Sequence, residues 1–196
     1  MTSTLRIPAA ELTGPTGALL RTMAQRMFGR IPDNLSVLFH HRPVLWAIFG
    51  YELKVARWKE LDPHLKKYAE MAAAGAIGCS WCLDYGYYVA HTDGLDLAKV
   101  REVPRWRESS VFTPLERDVM EYAEAVTATP PTVTDEMVTR LDEALGHAAL
   151  VELTAMIAVE NHRSRLNAAM GLTSQGFSAV CELPLAQASS NAPARD

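Results

Sequence analysis

The sequence predicts an all-α protein, and three observations carry that prediction. Apolar residues recur at helical spacing through nearly every long segment, no stretch alternates with period two or holds a hairpin turn, and recognisable start and stop residues bracket the periodic runs. A purely helical pattern of this kind implies helices packed on helices around one core.

Taken in order, Gly17 to Phe28 carries Leu19, Leu20, Met23 and Met27 on a helical repeat that Gly29 and Pro32 stop. Asn34 is placed to cap a short second helix holding Leu35, Leu38 and Phe39. His40-His41-Arg42-Pro43 then breaks the chain, and the two histidines read as capping or surface residues. From Pro43 to about Lys59 an amphipathic helix is expected, with Lys54, Arg57 and Lys59 gathering where cations suit the helix dipole. Asp62-Pro63 supplies an N-cap and a first-turn proline, so a helix should run from Pro63 to Ala74 and close at Gly75 or at the Ile77-Gly78 turn.

A further helix is expected from about Cys79 to Thr92, and a shorter one from Leu95 to Val103, with Trp106 and Phe112 in a linker. Thr113-Pro114-Leu115-Glu116 has the residues of a capping box and should open a helix reaching about Ala128. Thr134 caps the next, ended by Gly146. His147 to Met170 then forms the last helix, whose first half is apolar almost all round, as in a buried core or a subunit contact. The chain reads as one domain over residues 1–183. Residues 184–196, rich in Ala, Ser and Pro, are expected to be a disordered tail.

Composition sets outer limits on function. With 196 residues, 48% hydrophobic and 21% charged, the chain is long enough to bury a core without staples and is neither disordered nor membrane-like in composition. A net charge of -4 gives no basic footprint for nucleic acid. Residues 1–8 lack the apolar core of a signal peptide, and no stretch reaches the roughly 18 apolar residues of a membrane span, so a cytoplasmic protein is expected.

In a reducing compartment, a close cysteine pair points to redox, catalytic or metal chemistry. Cys79-Ser80-Trp81-Cys82 is such a pair, at a predicted helix start, while Cys181 stands alone. Residues three apart share a helix face, and unpaired N–H groups at the N-terminal end stabilise a thiolate there. Two such thiols can cycle through a sulfenic acid to a disulfide that a partner reduces. Zinc would need about four ligands, and no second Cys-x-x-Cys or His-x-x-x-His accompanies the pair. Haem attachment would need histidine where Leu83 stands. Two buried cysteines without chemistry stay open as a reading.

Leu61-Asp62-Pro63-His64-Leu65, then an alanine-rich helix, then Gly78-Cys79-Ser80-Trp81-Cys82-Leu83-Asp84 resembles the carboxymuconolactone decarboxylase superfamily, and within it the alkylhydroperoxidase D-like branch. With His41-Arg42-Pro43 upstream and Gly94-Leu95 downstream, the resemblance covers about a third of the chain. It implies an all-helical homotrimer or hexamer that needs no metal or other cofactor and reduces hydroperoxides at the expense of a dithiol donor. It also implies that Cys82 attacks the peroxide and Cys79 resolves the product. The family's proton relay uses a glutamate and a histidine at positions held here by Lys67 and Gly86.

Replacements are ranked by helix geometry. Glu70, one turn after Lys67, is the leading substitute carboxylate, while His91 and Asp84 fall on faces turned from Cys82. Glu160-Asn161-His162-Arg163 interrupts the last apolar helix, so His162 could line the site, or the run could serve a subunit contact. The leading reading is a thiol-dependent peroxidase. One alternative is a lactone-transforming lyase or isomerase working through Glu70 or His162. Another is a non-catalytic, oligomeric redox sensor that has lost its relay.

Overall fold

The computed structural model describes residues 4–187, and among them every regular element is helical. The helices are α1 (Gly14–Phe28), α2 (Asp33–Leu38), α3 (Arg42–Val55), α4 (Pro63–Ile77), α5 (Ser80–Thr92), α6 (Leu97–Val100), α7 (Pro114–Thr127), α8 (Asp135–Leu145) and α9 (His147–Ala169). Short 3₁₀ turns at Val103–Arg105 and Phe177–Val180 complete the set.

α4 is the hub. Its Leu65, Tyr68, Ala69, Met71, Ala72, Ala73 and Ala74 are buried, and it packs against α7, α9 and α5. The alanine run explains why three neighbours fit round one helix: small side chains let helix axes approach while larger residues on the partners fill the gaps. Val119, Met120 and Ala123 of α7 and Leu153 and Ile157 of α9 share the core cluster with α4.

The local signals act as the sequence implies. Asp62 accepts the N–H groups of His64 at 2.8 Å and Leu65 at 3.3 Å, opening α4. Both halves of the Thr113/Glu116 capping box form at the start of α7, satisfying two N–H groups that a helix end leaves orphaned. His41 Nδ1 accepts the Val44 N–H at 3.3 Å and caps α3.

Three expectations need correction. Pro32, not Asn34, holds the cap position of α2, because helical geometry already begins at Asp33. α3 stops at Val55 and not near Lys59, since Arg57 and Trp58 bond back three residues in a tightening turn. The segment after α5 is broken between α6 and the 3₁₀ turn at Val103, where Pro104 removes a donor. Trp106 and Phe112 do lie in the irregular segment before α7, and both are buried in the core, where the Trp106 indole N–H donates to Glu124 at 2.7 Å.

The expected tail falls largely outside the described residues. Its first residues are held: just after Leu183, whose carbonyl accepts the Tyr87 hydroxyl at 2.7 Å, Leu185 packs on the core and the Ala186 N–H reaches Arg101 O at 3.0 Å. No helix among the described residues is long and apolar enough to cross a membrane.

Candidate active site

The cysteine pair is delivered by the end of α4. Gly78 adopts φ +83°, and its N–H and that of Cys79 both reach back to Ala74 O at 3.0 Å. A side chain at residue 78 would oppose that left-handed turn, which is why a glycine precedes the first cysteine. Cys79 then takes the N-cap position of α5, where its Sγ accepts the Cys82 N–H at 3.3 Å. The two sulfurs are joined as a disulfide across the first turn, with Cα atoms 5.3 Å apart.

Both cysteines are buried, Cys79 at 1% exposure and Cys82 at 7%. Their polar partners differ. Cys79 is bound by the backbone at the positive end of α5, whereas Cys82 Sγ accepts the Asn167 side-chain amide of α9 at 3.4 Å.

α9 contributes more than Asn167. On a 3.6-residue repeat, positions 160, 163, 164 and 167 share one face, and here that face carries Glu160, Arg163, Ser164 and Asn167. Ser164 donates to Glu160 at 2.6 Å, and Arg163 lies 3.4 Å from Glu160 and 3.6 Å from Glu70. Arg163 also donates through Nε to Glu52 of α3 at 2.9 Å. Lys67 Nζ closes the group on Glu70 at 2.6 Å.

Glu52, Glu70 and Glu160 face Arg163 and Lys67, and Lys66, itself paired with Glu152, also acts on Glu70. Burial raises both Glu70 and Glu160, but Lys67 and Arg163 outweigh it at Glu70, whose acidity ends stronger than usual. At Glu160 burial wins over Arg163, is reinforced by Glu70, and pushes the group up to about 7. Burial opposes the charge on Arg163 too, yet its three carboxylates hold it firmly protonated.

A second structure covers the pair. Asp84 of α5, 3% exposed, accepts the N–H groups of Gln175, Phe177 and Ser178 and the Ser178 hydroxyl at 2.6–3.0 Å. Those bonds keep its carboxyl below the usual range against the opposing effect of burial. The strap formed by residues 174–178 lies on the start of α5, where Trp81 donates to Gln175 at 2.9 Å. Trp81 stacks on Tyr85 with ring centroids 5.0 Å apart, and both meet Phe177 edge-on. Phe28 of α1 joins the same aromatic cluster.

The predicted residues therefore separate into two groups. Cys79 and Cys82 are bonded to each other, and Glu70 is held by Lys67 and Arg163. Gly86 leaves space beside Met71, whose Cγ would stand 3.4 Å from an added Cβ. His162 is exposed, because it falls on the outer side of α9 while Glu160 and Arg163 face inward. Sequence reasoning missed Asn167 altogether and treated Asp84 only as a residue turned from Cys82, although polar residues at 160, 164 and 167 form a stripe at i, i+4 and i+7.

Comparisons with known proteins place this geometry in context. Residues 42–125, which span α3 to α7, match the carboxymuconolactone decarboxylase family. The uncharacterized protein YnjA of Escherichia coli K12 is 38% identical over 160 residues, 81% of each chain. A peroxidase-related protein of Ralstonia eutropha JMP134, described as an alkylhydroperoxidase AhpD core, has a TM-score of 0.75 at 16% identity, covering 94% of this chain and 100% of that one. The debrominase Bmp8 has a TM-score of 0.72 at 21% identity, covering 84% and 89% of the two chains. At these identities the last two are likenesses of fold.

Proposed function

The chain belongs to the carboxymuconolactone decarboxylase family, and from that premise we propose that it is a dithiol oxidoreductase that reduces hydroperoxides through Cys79 and Cys82. The observation that carries the reading is the bonded pair at the N-terminus of α5, with a separate hydrogen-bond donor on each sulfur.

In the reduced protein, the Cys82 thiolate attacks the terminal oxygen of a hydroperoxide. The O–O bond breaks, an alkoxide leaves and takes a proton to become an alcohol, and Cys82 becomes a sulfenic acid. The Cys79 thiolate attacks that sulfur, the S–S bond forms, and hydroxide leaves to be protonated as water. A dithiol donor then reduces the disulfide and is itself oxidised to a disulfide. Helix N-capping suits Cys79 to the resolving role, because the Cys82 N–H and the dipole favour its thiolate. The family resemblance gives Cys82 the attacking role.

The self-association implied by the family fits α3, whose Trp46, Phe49 and Leu53 are 43%, 41% and 51% exposed along one stripe. An acid–base lyase finds less support, since His162 is exposed and Glu70 is held ionised by two cations.

A second reading is favoured by the aromatic cluster of Phe28, Trp81, Tyr85 and Phe177 beside the dithiol. It is the reductive dehalogenation of an aromatic halide. There Cys82 would take the halogen, the aryl carbanion would take a proton, and Cys79 would release halide as the disulfide forms.

The decisive assay follows hydroperoxide consumption with dithiothreitol as donor. Wild type turns over and Cys82→Ser is inactive, while pre-reduced Cys79→Ser, mixed with hydroperoxide after the dithiothreitol is removed, consumes one equivalent and stops as a trappable sulfenic acid. Undiminished consumption by Cys82→Ser, or none by wild type, would refute the peroxidase. Halide release from a bromopyrrole under the same conditions would favour the second reading.

A further inference from the structure

The family resemblance implies a histidine where this chain has Gly86, so α5 itself brings no such side chain to Cys82. An attacking sulfur with no donor beside it would sit in a buried, apolar setting that favours the neutral thiol. Trp81, Leu172 and Phe177 share its cluster. We propose that Asn167 is the catalytic donor that stabilises the Cys82 thiolate, supplied from α9 in place of the side chain that α5 lacks. The proposal rests on the dithiol reading and adds a residue that no composition or motif singled out.

The geometry supports it from three sides. Asn167 Nδ2 lies 3.4 Å from Cys82 Sγ, within the range for a donor to sulfur. Both residues are buried, Asn167 at 4% exposure, so the bond acts with little competition from water and strengthens when the acceptor becomes an anion. The backbone that carries Asn167 is held at the close of α9, where the Leu172 N–H bonds the Asn167 backbone carbonyl at 3.0 Å. Cys79 needs no such help, since the helix N-terminus serves it. The two thiols are thus activated by different means, one by a backbone and the other by an amide.

An amide differs from an imidazole in a way that can be measured. It does not titrate, so it stabilises a thiolate without taking up a proton of its own. The donor should therefore shift the Cys82 titration without adding a step to it.

The test uses the full chain carrying Cys79→Ser and Cys181→Ser, so that Cys82 is the one remaining thiol and serine keeps the helix cap. Thiolate absorbance and iodoacetamide alkylation are followed against pH. Adding Asn167→Ala is expected to raise the Cys82 midpoint by about one pH unit, as loss of a charge-assisted bond implies, reducing the thiolate fraction below the midpoint about tenfold. Asn167→Asp, nearly the same shape but negatively charged, should raise it further. An unchanged midpoint in folded Asn167→Ala protein would overturn the proposal.

If the alanine variant does not fold, side-chain amide NMR decides. The Asn167 Nδ2 resonances should move with Cys82 ionisation and stay still in Cys82→Ser, and resonances that ignore the titration would equally refute it. Neither measurement uses a hydroperoxide. A protein that shows the shift but consumes no peroxide would refute the proposed function and leave this inference standing.

Discussion

Glu160→Gln is the substitution whose consequences follow most directly from the buried charge cluster. The glutamine keeps the size of the side chain and an oxygen to accept the Ser164 hydroxyl at 2.6 Å, and it resembles the protonated acid. Glu160 is raised from 4.5 to about 7. A carboxyl raised on folding binds its proton more tightly in the folded state, so its stabilising contribution is complete below pH 4.5 and is lost as pH rises to 7. The size is about 2.5 pH units at about 1.4 kcal/mol each, or about 3 kcal/mol. Wild type should therefore weaken relative to Glu160→Gln across that window, and the variant should be the more stable by up to about 3 kcal/mol at pH 8. Urea unfolding of both oxidised proteins at one concentration and several pH values reads the difference directly. Subtraction removes the titration of other groups. A difference that is flat between pH 5 and 8 would refute the argument, because it would mean that burial does not outweigh Arg163 at Glu160.

The remaining predictions test other joints of the structure. Gly86→Ala should stabilise the protein by about 0.5–1 kcal/mol in thermal unfolding, since glycine is costly in a helix interior and the new Cβ meets only the Met71 side chain at 3.4 Å. A loss of stability would show that Met71 cannot yield. Asp84→Asn turns an acceptor of four hydrogen bonds into a group that points an amide at donors, and should cost about 2 kcal/mol. Limited proteolysis should cut residues 174–178 faster in that variant. Acid should act in the same direction, because the lowered Asp84 carboxyl contributes stability above pH 3.8 that is lost as pH falls through its folded value. Thr113→Ala removes one half of the capping box and should cost about 1 kcal/mol in urea unfolding without changing the Cys82 titration.

What could be read in the sequence was what neighbouring residues decide among themselves. Asp62 capping α4, Gly78 turning the chain into Cys79, and Thr113 with Glu116 opening α7 each act over four residues or fewer, and each is present. The family context of the cysteine pair was legible for the same reason, as a contiguous motif. Asn167 was not, because it lies 85 residues from Cys82 and meets it only through the packing of α9 on α5. The burial of Trp106 and Phe112 was also not read: the linker that holds them lacks periodicity, although two large aromatic side chains are themselves a reason to expect burial.

The run Glu160 to Arg163 shows where the available information was misused. Read as a block, it nominated His162 by residue type. Read on a helical repeat, it divides, sending Glu160 and Arg163 inward with Ser164 and Asn167 and turning His162 to solvent. Lys67 then acquires a physical meaning. A carboxylate there would have added a fourth acid to Arg163, whereas the lysine holds Glu70 ionised at 2.6 Å and removes it from proton exchange at neutral pH. With Glu70 occupied in this way, Glu160 is the carboxyl of the cluster that can change its proton near pH 7. The lysine at 67 and the buried acid at 160 therefore belong to one electrostatic arrangement, joined through Glu70, which Lys67 binds and whose charge helps to raise Glu160.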